Sequence, residues 1–460
     1  MISTLGSVVS RIMERIVPDP FVIAILLTLL TAVASLVWGD YGGDSQFGGL
    51  IDAWSNSNSG LWALLAFAMQ MCLILVTGYA LATAALIRKC IDGIAVIPQS
   101  TASAAAIVGF IACVAGLVNW GLGLIVGALL AREVGFSLQR RNIPCHYPLI
   151  AAAGFMGLLV WHGGLSGSAP LSMTTKSGAA KVIPEQYLDS IETVLLSDSI
   201  GSSLNFFVIG GLLILAPLVL FFLAPKDAST FKPISVFKVD SGNAEPIEKT
   251  AESVPDKLNH STVIALCIAV PLFIALGRHV IEHGLEKVGL NQIIMFMLAL
   301  GVLLHRSPLR YMEAACKGAT GCAGIMIQFP LYAGIMAMMT ASGLMAGLTE
   351  VFVANSTSES MPIFTMISAG IVNLFVPSGG GQWAIQAPVA LESGMQLGIA
   401  PGKMVMAVAY GDQLTNMLQP FWALPLLAIT GVRARDIVGY TAVVMIAAFI
   451  WITIGLMFAG

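Results

Sequence analysis

The sequence predicts an all-α polytopic membrane protein made of two inverted-topology repeats, with about nine spans and two re-entrant helical hairpins. Composition supports the membrane class, because 57% of the 460 residues are hydrophobic and only 10% are charged, whereas soluble domains carry about a quarter of charged residues. The mean hydropathy of +0.87 agrees with this. Two interrupted apolar segments at corresponding places in the two halves support the repeat. The net charge of −3 gives no indication of nucleic-acid binding.

The spans are predicted from apolar segments of about 17–25 residues, the length that crosses a bilayer as a helix. Nine segments qualify: 20–38, 61–87, 147–175, 204–224, 261–277, 289–305, 318–340, 402–432 and 436–459. Segments 101–131 and 361–398 contain breaks and are predicted to be hairpins that enter and leave on one side. The alternative is that each is a pair of ordinary spans.

The Lys and Arg residues predict the orientation. With the N-terminus inside, seventeen of them fall on the cytoplasmic side and five on the outer side. Cytoplasmic loops are enriched in these residues, so the N-terminus is predicted inside and the C-terminus outside. The apolar run from Phe21 continues to Trp38, which favours a retained first span over a cleaved signal peptide.

The domain organisation follows from the same segments. Residues 1–19 are predicted to form a helix on the membrane surface, and 20–224 the first repeat. The polar segment 225–260 is predicted to be a flexible cytoplasmic linker. A connecting span, 261–277, leads into the second repeat, 289–460.

The two breaks follow matching tetrapeptides. Gly116-Leu-Val-Asn119 precedes one, and Gly370-Ile-Val-Asn373 precedes the other. The distance from Asn119 to Pro170 is 51 residues, and that from Asn373 to Pro425 is 52. Broken backbone within a membrane is tolerated where it lines a cavity or is buried in protein. The sequence therefore predicts a binding site at the breaks.

The predicted site suits an anion held without basic side chains, since no Lys or Arg lies inside a span or hairpin by these bounds. Such a site uses helix N-termini, backbone N–H groups and neutral polar side chains. A third break is expected near Ser166-Gly-Ser168. The predicted substrate-binding residues are Asn119, Trp120, Gly121, Ser166, Ser168, Ser378, Gly379, Gly380, Gly381, Gln382 and Asn416.

Asp412 is the main candidate for ion coupling, together with Asn373 and Gln413. It lies about ten residues into its span, or ~15 Å along a helix, near the middle of the bilayer. A carboxylate there takes up a proton, helps to bind a cation, or is paired structurally. No metal or cofactor site is predicted beyond a co-transported H⁺ or Na⁺, the latter near Asn119 or Asn373. His162 is read as a structural hydrogen-bonding residue.

The chain resembles the bacterial short-chain fatty acid transporter family, part of a broader group of ion-coupled carboxylate carriers. The strings that carry the resemblance are Pro18-Asp-Pro-Phe21, Leu64-Leu-Ala-Phe-Ala-Met-Gln-Met71, Asn119-Trp-Gly-Leu-Gly123, Ala131-Arg-Glu-Val134, Val376-Pro-Ser-Gly-Gly-Gly-Gln-Trp383, Ala409-Tyr-Gly-Asp-Gln413 and Gln419-Pro-Phe-Trp-Ala-Leu-Pro425. The resemblance implies inverted repeats with re-entrant hairpins, a homodimer, and elevator movement of the hairpin domain. One departure is Asp412, where the family pattern leads one to expect Glu.

The function expected from residues and resemblance is secondary transport of short monocarboxylates, such as butyrate or acetoacetate, across a bacterial inner membrane. Coupling to H⁺ or Na⁺ is expected. A carrier or exchanger of dicarboxylates or other organic acids is the nearest alternative, and a passive channel is another. A remote one is an intramembrane serine protease, because Gly164-Leu-Ser-Gly167 matches a G-x-S-G motif.

Overall fold

The computed structural model describes residues 12, 18–42, 45–174, 176–180, 193–239, 253–284, 290–344, 347, 351, 356–377 and 379–459. No strand occurs in these residues, which agrees with the predicted all-α class. The predicted surface helix over residues 1–19 lies almost entirely outside them.

The helices follow the apolar segments closely. The first half contains α1 (Pro20–Trp38), α2 (Gln46–Ser55), α3 (Leu65–Thr83), α4 (Ala85–Ala95), α5 (Thr101–Val118), α6 (Trp120–Arg140), α7 (Tyr147–Gly154), α8 (Ser168–Ser172), α9 (Lys176–Ala179) and α10 (Ser203–Leu223). The second contains α11 (Val254–Asn259), α12 (Thr262–His283), α13 (Leu290–His305), α14 (Pro308–Ala319), α15 (Ala323–Ala341), α16 (Met361–Phe375), α17 (Gly379–Gln396), α18 (Pro401–Thr415), α19 (Pro420–Thr430) and α20 (Ala434–Phe458).

Seven helical segments among the described residues are long and apolar enough to cross a membrane, and the bent pair α3–α4 would make eight. The two arms of the first predicted hairpin, α5 and α6, are both among the seven. Length therefore leaves open whether this hairpin is re-entrant or a pair of spans. The chain is a multi-pass membrane protein.

Helices α5 and α6 pack as an antiparallel hairpin around Asn119. Gly116 faces Gly123 and Ala112 faces Gly127, so the pairing runs in opposite directions along the two helices. The second arm continues to Arg140 instead of ending at 131 as predicted. The expectation of no basic residue inside a hairpin is therefore wrong at Arg132, which is 3% exposed. Its Nη2 is 2.8 Å from Glu133 Oε1, and this neighbour balances its charge.

The second hairpin breaks later than the sequence suggested. Helix α16 continues through Asn373 to Phe375, and α17 begins at Gly379. Gln382 Nε2 donates to the Ala369 carbonyl at 2.8 Å, and Gln386 Nε2 donates to Ser368 Oγ at 3.3 Å. These bonds join the arms in antiparallel order. Asn373 is thus a residue of the helix, not of the break.

Two spans that follow the hairpins are themselves interrupted. Segment 147–175 breaks after α7 into two 3-10 turns, Met156–Leu159 and Trp161–Gly163, before α8. Segment 402–432, predicted as one span, breaks between α18 and α19 at the 3-10 turn Asn416–Leu418. Pro420 begins α19, where its missing N–H costs no helical hydrogen bond.

Helices α5–α7 join through glycines at backbone contact. A Cβ on Gly127 would lie 2.0 Å from the Gly154 carbonyl oxygen, and a Cβ on Gly116 would lie 2.4 Å from the Gly157 carbonyl oxygen. Only glycine permits this approach, which is how small residues drive helix association in membranes. The first hairpin and the broken span that follows it therefore form one rigid block.

Part of the predicted flexible linker is packed. Lys232 accepts a hydrogen bond from Tyr147 N at 2.9 Å, and its own N–H donates to His146 Nδ1 at 3.2 Å. Burial, reinforced by Lys232, lowers the pKa of His146 to about 4. His146 Nε2 also lies 2.9 Å from the Tyr440 hydroxyl of α20. Residues 225–239 thus fasten the start of α7 to the start of α20.

Candidate functional site

The third break, within segment 147–175, places His162 in the interior, where it is 0% exposed. Its Nε2 accepts the backbone N–H of Ala169 at 3.0 Å. A ring nitrogen that accepts carries no hydrogen, so the neutral imidazole holds its proton on Nδ1. Nδ1 lies 3.3 Å from Asp412 Oδ2. The two halves of the chain therefore meet at a His–Asp pair.

Asp412 is 1% exposed and lies in α18 beside the N-terminus of α17. Although His162 is within ion-pair distance, neither carboxylate oxygen has a hydrogen-bond partner among the described residues. A Cβ built on Gly379 would lie 3.0 Å from Asp412 Oδ2 and 2.8 Å from Trp161 Cη2. The absence of a side chain at Gly379 lets the positive end of α17 approach the carboxylate.

The polar side chains around Asp412 leave several groups unpaired. Asn373 Nδ2 does have partners, since it donates hydrogen bonds to the Asp412 carbonyl at 2.9 Å and to Asn416 Oδ1 at 2.8 Å. Side-chain atoms without a hydrogen-bond partner in the described part of the chain are Asn373 Oδ1, Gln382 Oε1, Gln413 Oε1 and Nε2, Asn416 Nδ2 and Gln419 Oε1. All five residues are at most 3% exposed. Buried polar groups are normally paired, so such a cluster points to a ligand or ion site.

At the first break, in contrast, the backbone N–H groups of the hairpin tip have hydrogen-bond partners within the protein. Asn119 Oδ1 caps α6 by accepting Gly121 N at 3.0 Å and Leu122 N at 3.3 Å. Ser166 Oγ accepts Trp120 N at 3.0 Å, and Leu165 N donates to the Leu117 carbonyl at 2.8 Å. These bonds attach the first hairpin tip to the third break. The predicted binding residues Asn119, Gly121 and Ser166 therefore hold the tip together in this arrangement.

The remaining predicted residues divide between the site and its margins. Gly379, Gln382, Gln413 and Asn416 are buried around Asp412, and Gly380 is exposed at the start of α17. Gly381 is half-buried next to Gly380, and Ser168 begins α8. Ser378 lies outside the described residues. Within those residues, no group of three His, Cys, Asp or Glu is placed to hold a metal ion.

Comparison with known proteins shows the family of this chain. The profile of the family described as "Short chain fatty acid transporter" matches residues 1–459. The chain belongs to the short-chain fatty acid transporter family. A "Putative short-chain fatty acid transporter" of Escherichia coli (strain K12) is 37% identical over 462 residues, covering 99% of each chain. One of the same description from Haemophilus influenzae (strain ATCC 51907 / DSM 11121 / KW20 / Rd) is 36% identical over 466 residues, covering 100% of each.

Two solved transporter structures align along most of the chain at low similarity. The Alcanivorax borkumensis YdaH transporter gives a TM-score of 0.41 at 16% identity, covering 96% of this chain and 97% of its own. Neisseria gonorrhoeae MtrF gives 0.37 at 15% identity, covering 98% of each.

The short-chain fatty acid transporter family consists of transporters, not enzymes. This removes the protease alternative for Ser166, and the geometry offers a different role for that residue. Its hydroxyl accepts a backbone N–H of the hairpin tip, while His162 faces Asp412.

Aromatic rings of this transporter continue from the His–Asp pair toward the other helices. Trp161 stacks on His162 at 4.2 Å, and its ring lies 6.5 Å from Trp120, which is 5.1 Å from Trp422. Phe421 stacks on Phe329 of α15 at 4.2 Å. We call Trp120, Trp161, Phe329, Phe421 and Trp422 the aromatic cluster. Its apolar faces suit the short alkyl chain of a fatty acid.

Sequence reasoning underrated His162 and Gln419. The available indication for His162 was its position beside Gly163-Gly164, in the segment where a break was expected. Gln419 donates from Nε2 to the Asn373 carbonyl and so ties the break between α18 and α19 to α16. Its sequence indication was the Gln-Pro pair, because a residue before proline is biased away from helix.

Proposed function

We propose that this protein is a secondary active transporter that couples uptake or release of a short monocarboxylate to a cation at Asp412. The single observation that carries the proposal is the meeting of Asp412, His162 and the N-terminus of α17, surrounded by unpaired buried polar groups. A short fatty acid is one carboxylate with a few carbons. It needs a local anion site and an apolar wall, not two separate anion anchors.

The N-terminus of α17 is the proposed carboxylate site. A helix start presents backbone N–H groups and a partial positive charge to an anion. A Cβ on Gly380 would meet no heavy atom within 4 Å, so this face of the helix start is open. The alkyl chain would lie against Trp161 and Trp120. Each buried CH₂ contributes only about 0.8 kcal/mol, so affinity should be modest.

Repulsion between the substrate carboxylate and Asp412 would couple binding of the anion to binding of a cation. A substrate carboxylate at the start of α17 would lie close to Asp412, since Gly379, the first residue of α17, lies next to Asp412 Oδ2. Two carboxylates at such short range in a low-dielectric interior repel strongly. A proton or Na⁺ at Asp412 removes that repulsion, so the anion binds together with the cation. His162 would orient Asp412 for either cation, because its Nδ1–H faces the carboxylate and, with Nε2 accepting from Ala169, the ring has no second proton to pass on.

The proposal also covers the architecture of the transporter and the movement that carries the substrate across the membrane. Helix α3 packs against α13 and α14, and α15 packs against α1 and α2. This reciprocal pattern supports inverted repeats. We further propose the homodimer, the inner-membrane location with the N-terminus inside and the C-terminus outside, and elevator movement of the hairpin block past α3 and α15.

The direct test is labelled butyrate uptake into proteoliposomes with proton and sodium gradients imposed separately. Accumulation driven by one of the two gradients is expected, and that gradient identifies the coupled cation. If folded protein takes up no butyrate under either gradient but exchanges a dicarboxylate, the monocarboxylate assignment is wrong.

Gly380→Ala separates substrate binding from folding. The added methyl meets open space, so thermal stability should match the wild type or exceed it slightly, by at most about 1 kcal/mol. The same methyl covers the N–H groups at the start of α17, so KM for butyrate should rise about tenfold. Unchanged KM in a stable variant would show that the carboxylate binds elsewhere.

His162→Phe tests the partner of Asp412. Phe keeps a ring against Trp161 but leaves the Ala169 N–H and the Asp412 carboxylate without the imidazole. Gradient-driven accumulation should fall at least about tenfold, the scale for removing one N–H donor that faces a charged group, about 1.5 kcal/mol. His162→Gln, which can still accept from Ala169 and donate toward Asp412, should recover more butyrate exchange than accumulation. Equal accumulation by the wild type and His162→Phe would exclude this role.

A further inference from the structure

A cavity that Asp412 does not line lies between helix ends at one face of the membrane. Its volume is about 610 Å³, and the starts of α1, α15 and α20 line it together with α19. The side chains that matter for its chemistry are Asp19, Gln328, Arg433 and Arg435. Since three helix starts meet there, the cavity belongs to a single face of the membrane.

The charges of the cavity leave one cation without a partner. Arg433 is paired, with Nε 3.0 Å from Asp436 Oδ2. Asp19 caps α1 by accepting Phe21 N at 2.9 Å. Arg435 is half-buried and forms no ion pair with any residue that the structure describes. The start of α15 has no side-chain cap, so its partial positive charge also faces the cavity.

The inner wall of the cavity carries an unpaired polar group. Gln328 is 5% exposed, and its Oε1 has no hydrogen-bond partner among the described residues. Its Nε2 would lie 3.6 Å from a Cβ on Gly324, which also lines the cavity. Gln328 stands four residues deeper in α15, about 6 Å from the level of Gly324. The next residue, Phe329, belongs to the aromatic cluster.

We infer that this cavity is the access vestibule for short carboxylate anions from that face, with Arg435 as its attracting charge and Gln328 as its innermost polar contact. The aromatic cluster separates the vestibule from the Asp412 site and opens for each passage. This inference rests on the proposed function and adds the route and the residues of the route. The shared chemistry is an anionic oxygen, which a lipid phosphate headgroup also offers.

The test compares KM for butyrate from each membrane face, using right-side-out and inside-out vesicles. Arg435→Gln should raise KM about threefold or more from the cavity face only, and the effect should shrink at high salt. Asp19→Asn keeps a good helix cap while removing a negative charge, so it should lower KM from the same face. Gln328→Leu should raise KM at both salt concentrations.

Arg310→Gln is the matched control, because Arg310 is exposed on α14 and does not line the cavity. If Arg435→Gln matches this control from both faces, the vestibule is refuted while the proposed function stands. An effect of Arg435→Gln that disappears in vesicles without anionic lipid would assign the cavity to a headgroup and also overturn the inference. Lack of butyrate transport by the wild type would instead refute the proposed function.

Discussion

Asp412→Asn is expected to abolish accumulation of butyrate against its gradient while leaving part of the butyrate exchange. Asn keeps the size of the side chain but neither carries a charge nor takes up a proton at neutral pH. The cluster around it would then hold the substrate anion without requiring a coupled cation. The measurement is the ratio of internal to external butyrate at steady state, alongside exchange under equal concentrations.

Asp227→Asn is a suitable control for this variant. Asp227 is exposed beyond α10, where it caps a short turn through Ser229 N, and Asn supports the same cap. It should accumulate butyrate as the wild type does. Full accumulation by Asp412→Asn would refute the coupling role of Asp412, since no other carboxylate among the described residues touches His162.

Gly127→Ala is expected to cause the largest loss of stability, about 3 kcal/mol, from overpacking a rigid contact. The new Cβ would lie 2.0 Å from the Gly154 carbonyl oxygen, and the atom in its way is backbone. Neither helix can yield without opening the contact between α6 and α7. The melting temperature of the detergent-solubilised protein should fall well below that of the wild type.

Gly210→Ala gives the opposite result and serves as the control. Gly210 lies in α10, and a Cβ there would meet no heavy atom within 4 Å. Ala is the better helix former by about 1 kcal/mol, so this variant should melt at or above the wild-type temperature. Equal melting of the two variants would mean that the glycine contact between α6 and α7 is less close than described.

The span positions were predictable because bilayer thickness fixes how long an apolar helix must be. Breaks were predictable where glycine or proline interrupts such a segment, as at Pro377 between α16 and α17. In the second hairpin, the sequence placed the break at Asn373, whereas the structure continues α16 through this polar residue to Phe375. The amide nitrogen of Asn373 donates to the Asp412 carbonyl and to Asn416 Oδ1, contacts with a distant part of the chain that no local pattern reveals.

The site was partly predictable for a related reason. Asp412 was identifiable, since burying a carboxylate deep in an apolar span costs free energy and such residues are usually functional. Its pairing with His162 depends on two segments 250 residues apart (from residue 162 to residue 412). Arg132 was misjudged because its cost is offset by the adjacent Glu133 and by the ring of Tyr79, 5.4 Å from its guanidinium carbon. A count of buried charges in the sequence does not include such compensation.

The surroundings of Asn119 and of Asp412 differ in how many of their polar groups have a hydrogen-bond partner, and this difference has a consequence for random mutation. Around Asn119 the polar groups described above have hydrogen-bond partners within the protein, so damage there would reduce the amount of protein reaching the membrane. Around Asp412 many groups have no protein partner, so changes there can spare assembly and stop transport. A variant library scored separately for membrane abundance and for growth on a short fatty acid would therefore sort the two neighbourhoods into different phenotypic classes.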